Sequence, residues 1–152
     1  MALRVDLTNG TDQVTGALTD GTWTSNLHGD RNVFDSLANP AAQAGERSFV
    51  LERAENEKTT AASGLSKIGI TGKTLVRGNL EDGRKFLAGS SLAKNGDCPF
   101  YLSLSGGGEV IIGWLNFPAD GGALANGNVI WVKTGTNGFA SSLQAASVKA
   151  AQ

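Results

Sequence analysis

Hydrophobic and polar residues alternate with a period of two along most of this 152-residue chain, and the alternating runs are cut by Gly, Asp-Gly and Asn-Gly. That period puts successive side chains on opposite faces of an extended backbone, so the pattern predicts β-strands joined by tight turns. Arg4–Thr8 alternates up to Asn9-Gly10, a pair suited to the two positive φ angles of a type I′ hairpin turn. Gln13–Leu18 runs into Asp20-Gly21, and Thr22–Leu27 runs back as a second hairpin. Residues 28–45 have no clean period and read as a loop with a short strand at Asn32–Leu37. Ser48–Arg53 is the next strand, and the polar stretch Ala54–Ser63 reads as a solvated loop without an apolar stripe to dock a helix. Leu65–Thr71, Lys73–Leu80, Arg84–Leu92, Cys98–Leu104, Glu109–Phe117 and Asn128–Thr134 then follow at a spacing that fits an antiparallel meander, with Gly106-Gly107-Gly108 as a hairpin turn. Val110–Leu115 is apolar on both faces and predicts a central strand.

An internal repeat overlies this pattern. Val14–Gly21 returns as Val76–Gly83, 62 residues later, with five of the eight positions identical and an Asp-Gly turn at the end of each. At a spacing of 63, Gly45-Glu46 matches Gly108-Glu109 and Thr71-Gly72 matches Thr134-Gly135, which pairs Phe49 with Ile112, Leu51 with Trp114 and Ile68 with Trp131. The same register pairs Phe139 with Val76, so it predicts a strand near the carboxyl end where the Ala-rich composition alone favours helix. Propensity is the weaker signal, and an added strand covers an open edge. The chain therefore reads as one domain, 1–152, of two repeats of about 62 residues (approximately 10–72 and 73–135) plus a terminal strand 138–145, with the last residues frayed. The fold class is all-β, an antiparallel β-barrel or sandwich of about ten strands with a pseudo-twofold internal repeat.

Composition narrows the partners. The 13 basic and 14 acidic residues nearly cancel and form no run of like charge, which argues against a nucleic-acid surface. No stretch approaches the ~18 apolar residues of a membrane span, and the amino terminus lacks a basic region followed by an apolar run. The single cysteine, Cys98, precludes an internal disulfide.

Gly78–Gly83, Leu92–Leu102, Gly113–Phe117 and Trp131–Lys133, with Asp20–Trp23 and Gly29–Arg31 before them, resemble a repeat of large extracellular proteins of environmental bacteria, where it often follows immunoglobulin-like or other surface modules. The resemblance spans most of the chain. It implies an all-β module in a secreted or cell-surface setting and brings with it neither an activity nor catalytic residues. Cys98 and Ser105 stand where that family usually has aromatic residues, which implies a weaker platform here if those aromatics hold a ligand.

Candidate chemistry is sparse. His28 is the only histidine, so a polyhistidine metal site and a His–His acid–base pair are excluded, and nucleophilic catalysis requires Cys98 or a serine beside His28. Asp30, Asn32 and Asp35 form the densest set of oxygen ligands in an irregular segment, a candidate calcium site, although the spacing lacks the pattern of an EF-hand and also suits turn capping. Among the aromatics, Trp114 and Trp131 lie in the most apolar segments and are assigned to the core, while Trp23 beside a turn and Tyr101 among serines are the candidate ligand contacts. Two functions follow. The first is a non-catalytic binding or structural module that takes a glycan, small molecule or neighbouring module through Trp23, Tyr101 and loop 28–45. The second is a calcium-assisted hydrolase of esters or lactones, acyl-homoserine lactones among them, with a carboxylate activating water.

Overall fold

The computed structural model describes residues 2–6, 12–54, 59–120 and 127–147. Among them lie eleven strands: β1 (Ala2–Asp6), β2 (Gln13–Thr19), β3 (Thr24–Asp30), β4 (Gly45–Arg53), β5 (Thr60–Ile68), β6 (Lys73–Leu80), β7 (Lys85–Ser91), β8 (Asp97–Leu104), β9 (Glu109–Asn116), β10 (Gly127–Lys133) and β11 (Phe139–Ser147). Strands β1, β2 and β3 form a small antiparallel sheet. The other eight form one antiparallel sheet in the order β7-β6-β5-β4-β11-β10-β9-β8. Only the β11–β4 ladder joins strands distant in sequence, so the sheet is an up-and-down meander. It curls until β7 and β8 meet, giving a nearly closed barrel.

Alternation explains the interior. On β6, Thr74, Val76 and Leu80 are buried while Lys73, Leu75, Arg77 and Asn79 are exposed, and on β8 Cys98, Phe100 and Leu102 are buried between Pro99, Tyr101 and Ser103. Phe49, Leu51, Phe100, Ile111, Leu115, Val129 and Leu143 complete a fully buried core. Each such side chain contributes about 1.5–3 kcal/mol by leaving water. The opposed glycines Gly64 and Gly78 make room for two of the rings: a Cβ on Gly64 would lie 3.0 Å from Phe49 Cζ, and one on Gly78 would lie 2.8 Å from Phe86 Cζ.

Three connections use one device. In each, a residue bonds across a three-residue turn whose last member is a positive-φ glycine: Gly69 to Lys73 around Gly72, Leu80 to Arg84 around Gly83, and Ala93 to Asp97 around Gly96. The Asp-Gly turns of the repeated stretch share a further feature. Asp20 Oδ1 accepts the amides of Thr22 and Trp23, Asp82 Oδ1 accepts that of Arg84, and Gly21 and Gly83 both have positive φ. The first copy lies in the small sheet and the second in the barrel.

Strands β7 and β8 leave the turn at Gly96 as neighbours, yet no ladder joins them. From the bonded pair Ala93–Asp97, the antiparallel alternation makes Ser91 and Pro99 the next hydrogen-bonded pair. Pro99 has no amide hydrogen to donate. Side chains hold the seam instead. Ser90 Oγ donates to the Pro99 carbonyl at 2.6 Å, and the Phe86 and Phe100 rings meet edge to face with centroids 6.1 Å apart. Arg84 donates to Glu109 Oε2 at 2.7 Å and to Ser105 Oγ at 3.1 Å. Glu109 is buried and also lies 3.2 Å from Lys133 Nζ.

The segment 31–44 packs onto the barrel end that carries the β5–β6 turn. Ala41 donates its amide to the Ile70 carbonyl at 2.8 Å, Asn32 Nδ2 donates to the Thr71 carbonyl at 3.0 Å, and Phe34 packs on the core. No strand forms at 32–37, contrary to the expectation from sequence: Asn32 and Asp35 spend their oxygens on nearby amides, which competes with a ladder. The polar stretch 54–63 is likewise not all loop, because Thr60–Ser63 begin β5 and pair with β4 and β6. Asn9-Gly10 and the frayed carboxyl end lie outside the described residues, whereas the expected terminal strand is present as β11.

Two measurements test the seam. Amides of β7 and β8 are expected to exchange hydrogen faster than those of β4, β5, β10 and β11, which pair on both sides; equal protection would mean that a ladder forms there after all. Burial opposes the charge on Glu109, but hydrogen bonds from Arg84 and Lys133 outweigh it and hold its pKa below the usual glutamate value. Its carboxylate therefore stabilises the fold above the unfolded pKa of about 4.3, and the contribution is lost as pH falls through the lower folded value. Glu109→Gln is expected to flatten the acid limb of a stability–pH curve measured by urea unfolding, and an unchanged limb would place its source elsewhere.

Candidate functional site

The outward faces of β8, β9 and β10 carry three rows of uncharged side chains, with Asp97 beyond them at one end. Antiparallel register places Tyr101 opposite Ile112 and Ile112 opposite Ile130, one row across three strands. The adjacent row is Pro99, Trp114 and Asn128, and the next is Ser103, Val110 and Val132. Tyr101 is 58% exposed and Trp114 38%, with Ile112 and Ile130 also exposed. Alternation produces this face directly: on β9, Ile111 and Leu115 point into the barrel, which turns Ile112 and Trp114 out. Apolar side chains on a solvent-facing sheet add nothing to the core, so a contiguous group of them is a candidate contact surface.

Trp114 is the correction to the sequence reading. Its apolar surroundings assigned it to the core, whereas only Trp131 is buried there. The 63-residue register misled at this point, because it matches buried Phe49 and Leu51 with exposed Ile112 and Trp114, a shift of one position in the pleat. Ile112, Ile130 and Pro99 also went unselected; Val110–Leu115 is apolar at nearly every position, so its sequence marks neither alternating set as outward.

Trp23 is exposed, as expected from sequence, at the β2–β3 turn of the small sheet. Asp20 Oδ1 accepts its amide and its carbonyl accepts Thr19 Oγ1 at 2.6 Å, so the backbone is clamped while the ring stays in solvent. Hydrogen bonds to Asp20 from the Thr22 hydroxyl first, then from the amides of Thr22 and Trp23, hold its carboxyl below its ordinary pKa. Trp23 and Tyr101 therefore stand on separate sheets.

The residues considered for catalysis have separate surroundings. Cys98 is fully buried inside the barrel, and burial pushes its thiol pKa up against opposing hydrogen bonds from Ser90 and Thr74. A nucleophilic cysteine requires the opposite shift. His28 is exposed on β3, with Nε2 2.9 Å from Asp30 Oδ2. The Asp30 side chain is only 2% exposed and is also bonded by Gln13 and approached by Asn95 from the β7–β8 turn, so it ties the small sheet to the barrel.

The candidate calcium ligands act as turn caps. Asn32 Oδ1 accepts the amide of Phe34, and Asp35 Oδ1 accepts those of Leu37 and Ala38, which lower the Asp35 pKa. Asp30 is engaged as described above. Among the described residues, no group of three or more His, Cys, Asp or Glu side chains is arranged to hold a metal ion. No helix among them is long and apolar enough to cross a membrane.

Comparison with known proteins finds no matching family model, curated protein or solved structure.

These placements predict how the native protein reacts. Cys98 is expected to resist a thiol reagent until the protein unfolds, and Trp23 and Trp114 are expected to be quenched by iodide while Trp131 is shielded. Rapid modification of Cys98 in the native state, or unchanged quenching in a Trp23→Phe/Trp114→Phe variant, would contradict the placement.

Proposed function

We propose that this chain is a non-catalytic binding module whose ligand lies on the outer face of β8–β10. The observation that carries this reading is the row Tyr101–Ile112–Ile130 beside Pro99–Trp114, an exposed group of aromatic and aliphatic side chains held by ladders on a rigid barrel. A glycan suits that surface. The apolar face of a pyranose stacks on an aromatic ring, while Ser103 and Asn128 at the margins offer hydrogen bonds to hydroxyl groups. The resemblance to a bacterial extracellular repeat favours a secreted or cell-surface setting for such contacts. The calcium-assisted hydrolase is the less supported reading, because the oxygens it would use already cap turns or tie the two sheets together.

The test is a glycan-binding screen with the wild-type chain and with Tyr101→Ala, Trp114→Ala and Trp23→Ala. Loss of one stacking ring is expected to weaken binding roughly threefold to tenfold, equivalent to about 0.5–1.5 kcal/mol. Trp23→Ala, on the other sheet, is expected to bind as wild type. Binding that ignores both Tyr101 and Trp114 would sink this reading. Calcium-dependent thermal stability abolished by Asp30→Asn or Asp35→Asn would favour the alternative.

A further inference from the structure

A second surface on the opposite run of the meander has a different chemistry. On the outer faces of β5, β6 and β7, a groove of about 380 Å3 is floored by the backbone of Gly64 and Gly78 and lined by Leu65, Arg77, Asn79 and Lys85. A smaller hollow of about 210 Å3 shares Leu65 and Arg77 with it and is lined further by Leu75, Lys67 and Glu46. Arg77 therefore stands where the two hollows join. The glycine pair is dictated by the barrel: a Cβ on Gly64 would lie 2.3 Å from the Arg77 carbonyl oxygen, and one on Gly78 would lie 2.2 Å from that of Ser63. Phe49 and Phe86 cover the same two residues from inside.

The charges are what single the groove out. Asn79 faces Lys85 across the β6–β7 ladder, and Arg77 lies diagonally from Lys85, so two cations flank one hollow. Neither has an ion pair among the described residues. Elsewhere on the barrel Arg53 is bonded to Glu81, Arg84 to Asp82 and Glu109, and Lys133 to Glu109, while in the smaller hollow Lys67 lies 3.9 Å from Glu46. Lys73 also has no ion pair among the described residues, but it lines neither hollow. In a chain of formal net charge -1, two neighbouring unneutralised cations across a hollow repel one another and favour an anion between them.

We infer that this groove binds an anionic polysaccharide, with a carboxylate or sulfate group held between Arg77 and Lys85. The extended form follows from two hollows that share Leu65 and Arg77; in the smaller one Lys67 offsets Glu46, so the anionic group is placed in the larger. Leu65 and Leu75 supply apolar contact for ring faces, and Asn79 supplies a donor and an acceptor for a hydroxyl. The inference does not rest on the aromatic rows of β8–β10, which carry no cation and are formed by other strands.

Dextran sulfate, polygalacturonate and neutral dextran of matched length, titrated into the full chain at about 0.15 M salt, separate the outcomes. Binding is expected for at least one anionic polymer and not for neutral dextran. Arg77→Gln and Lys85→Gln are each expected to weaken it at least fivefold, whereas Lys73→Gln, exposed on β6 but outside the groove, is expected to change it less than twofold. Arg77→Lys is expected to retain part of the affinity, and a melting temperature for each variant checks that the fold survives. The inference is overturned if neither anionic polymer binds, if neutral dextran binds equally and with the same dependence on Arg77 and Lys85, or if the Arg77→Gln/Lys85→Gln variant binds as wild type. Binding of inorganic phosphate or of anionic lipid vesicles that depends on both residues, with no polysaccharide binding, would also overturn it. Binding that survives in the Arg77→Gln/Lys85→Gln variant but is lost in Tyr101→Ala or Trp114→Ala would assign the ligand to the aromatic face and overturn the inference.

Discussion

Closing eight strands into a barrel requires eight junctions, and backbone ladders supply only seven of them here. The eighth, between β7 and β8, depends on what proline withholds. With no amide hydrogen at Pro99, the bond that would carry the ladder on from the Gly96 turn is missing, and the junction passes to Ser90, to the Phe86–Phe100 contact and to the Arg84–Glu109 pair. Much of the unusual chemistry in the molecule gathers at this line. Glu109 is a buried carboxylate because it sits where Arg84 and Lys133 converge at the end of the seam, and such a charge is tolerated in the interior only when paired. At the other end of the seam, the Cys98 thiol lies close enough to Ser90 and Thr74 for their hydrogen bonds to oppose the effect of its burial.

Curvature links the interior to the outer surfaces. The glycines that admit Phe49 and Phe86 on the inside also form the floor of the basic groove on the outside, so core packing and surface shape are two sides of the same residues. On β8–β10 the coupling is simpler. Strict alternation that sends Phe100, Ile111 and Trp131 inward must send Tyr101, Ile112 and Ile130 outward. Among the described side chains of the small sheet, every residue of β2 and β3 is half-buried or exposed, and the contacts with the barrel are polar, through Asp30, Asp12, Lys94 and Asn95.

Strand type, the meander and the terminal strand were legible because each is a local pattern: alternation, turn glycines and a repeated register. Closure was legible only as a general remedy for open edges, because the β11–β4 pairing joins segments nearly a full barrel apart in sequence. The faces of individual residues were harder. Val110–Leu115 is apolar at almost every position, so composition could not say which set faces in, and a repeat register shifted by one placed Trp114 on the wrong side. Asn32–Leu37 was misread for a different reason, since Asn and Asp side chains satisfied the local amides that a strand would have offered to a neighbour. The basic groove left no mark in the sequence. Arg77 and Lys85 are eight positions apart, and they become neighbours only when the hairpin folds them onto adjacent strands.

The β11–β4 ladder has a consequence for how the molecule assembles. Hairpins such as β4–β5 and β6–β7 involve residues close in sequence and can form early, whereas β4 keeps one open edge until β11 arrives to pair with it. During synthesis the first strand of the barrel must therefore wait for the last, holding an incomplete sheet while about a hundred residues emerge, on the order of 5–20 seconds at typical elongation rates. The late, non-local pairing makes ring closure the natural slow step of folding. It also makes the interval before that step the period in which an unpaired β4 is most open to association with another chain.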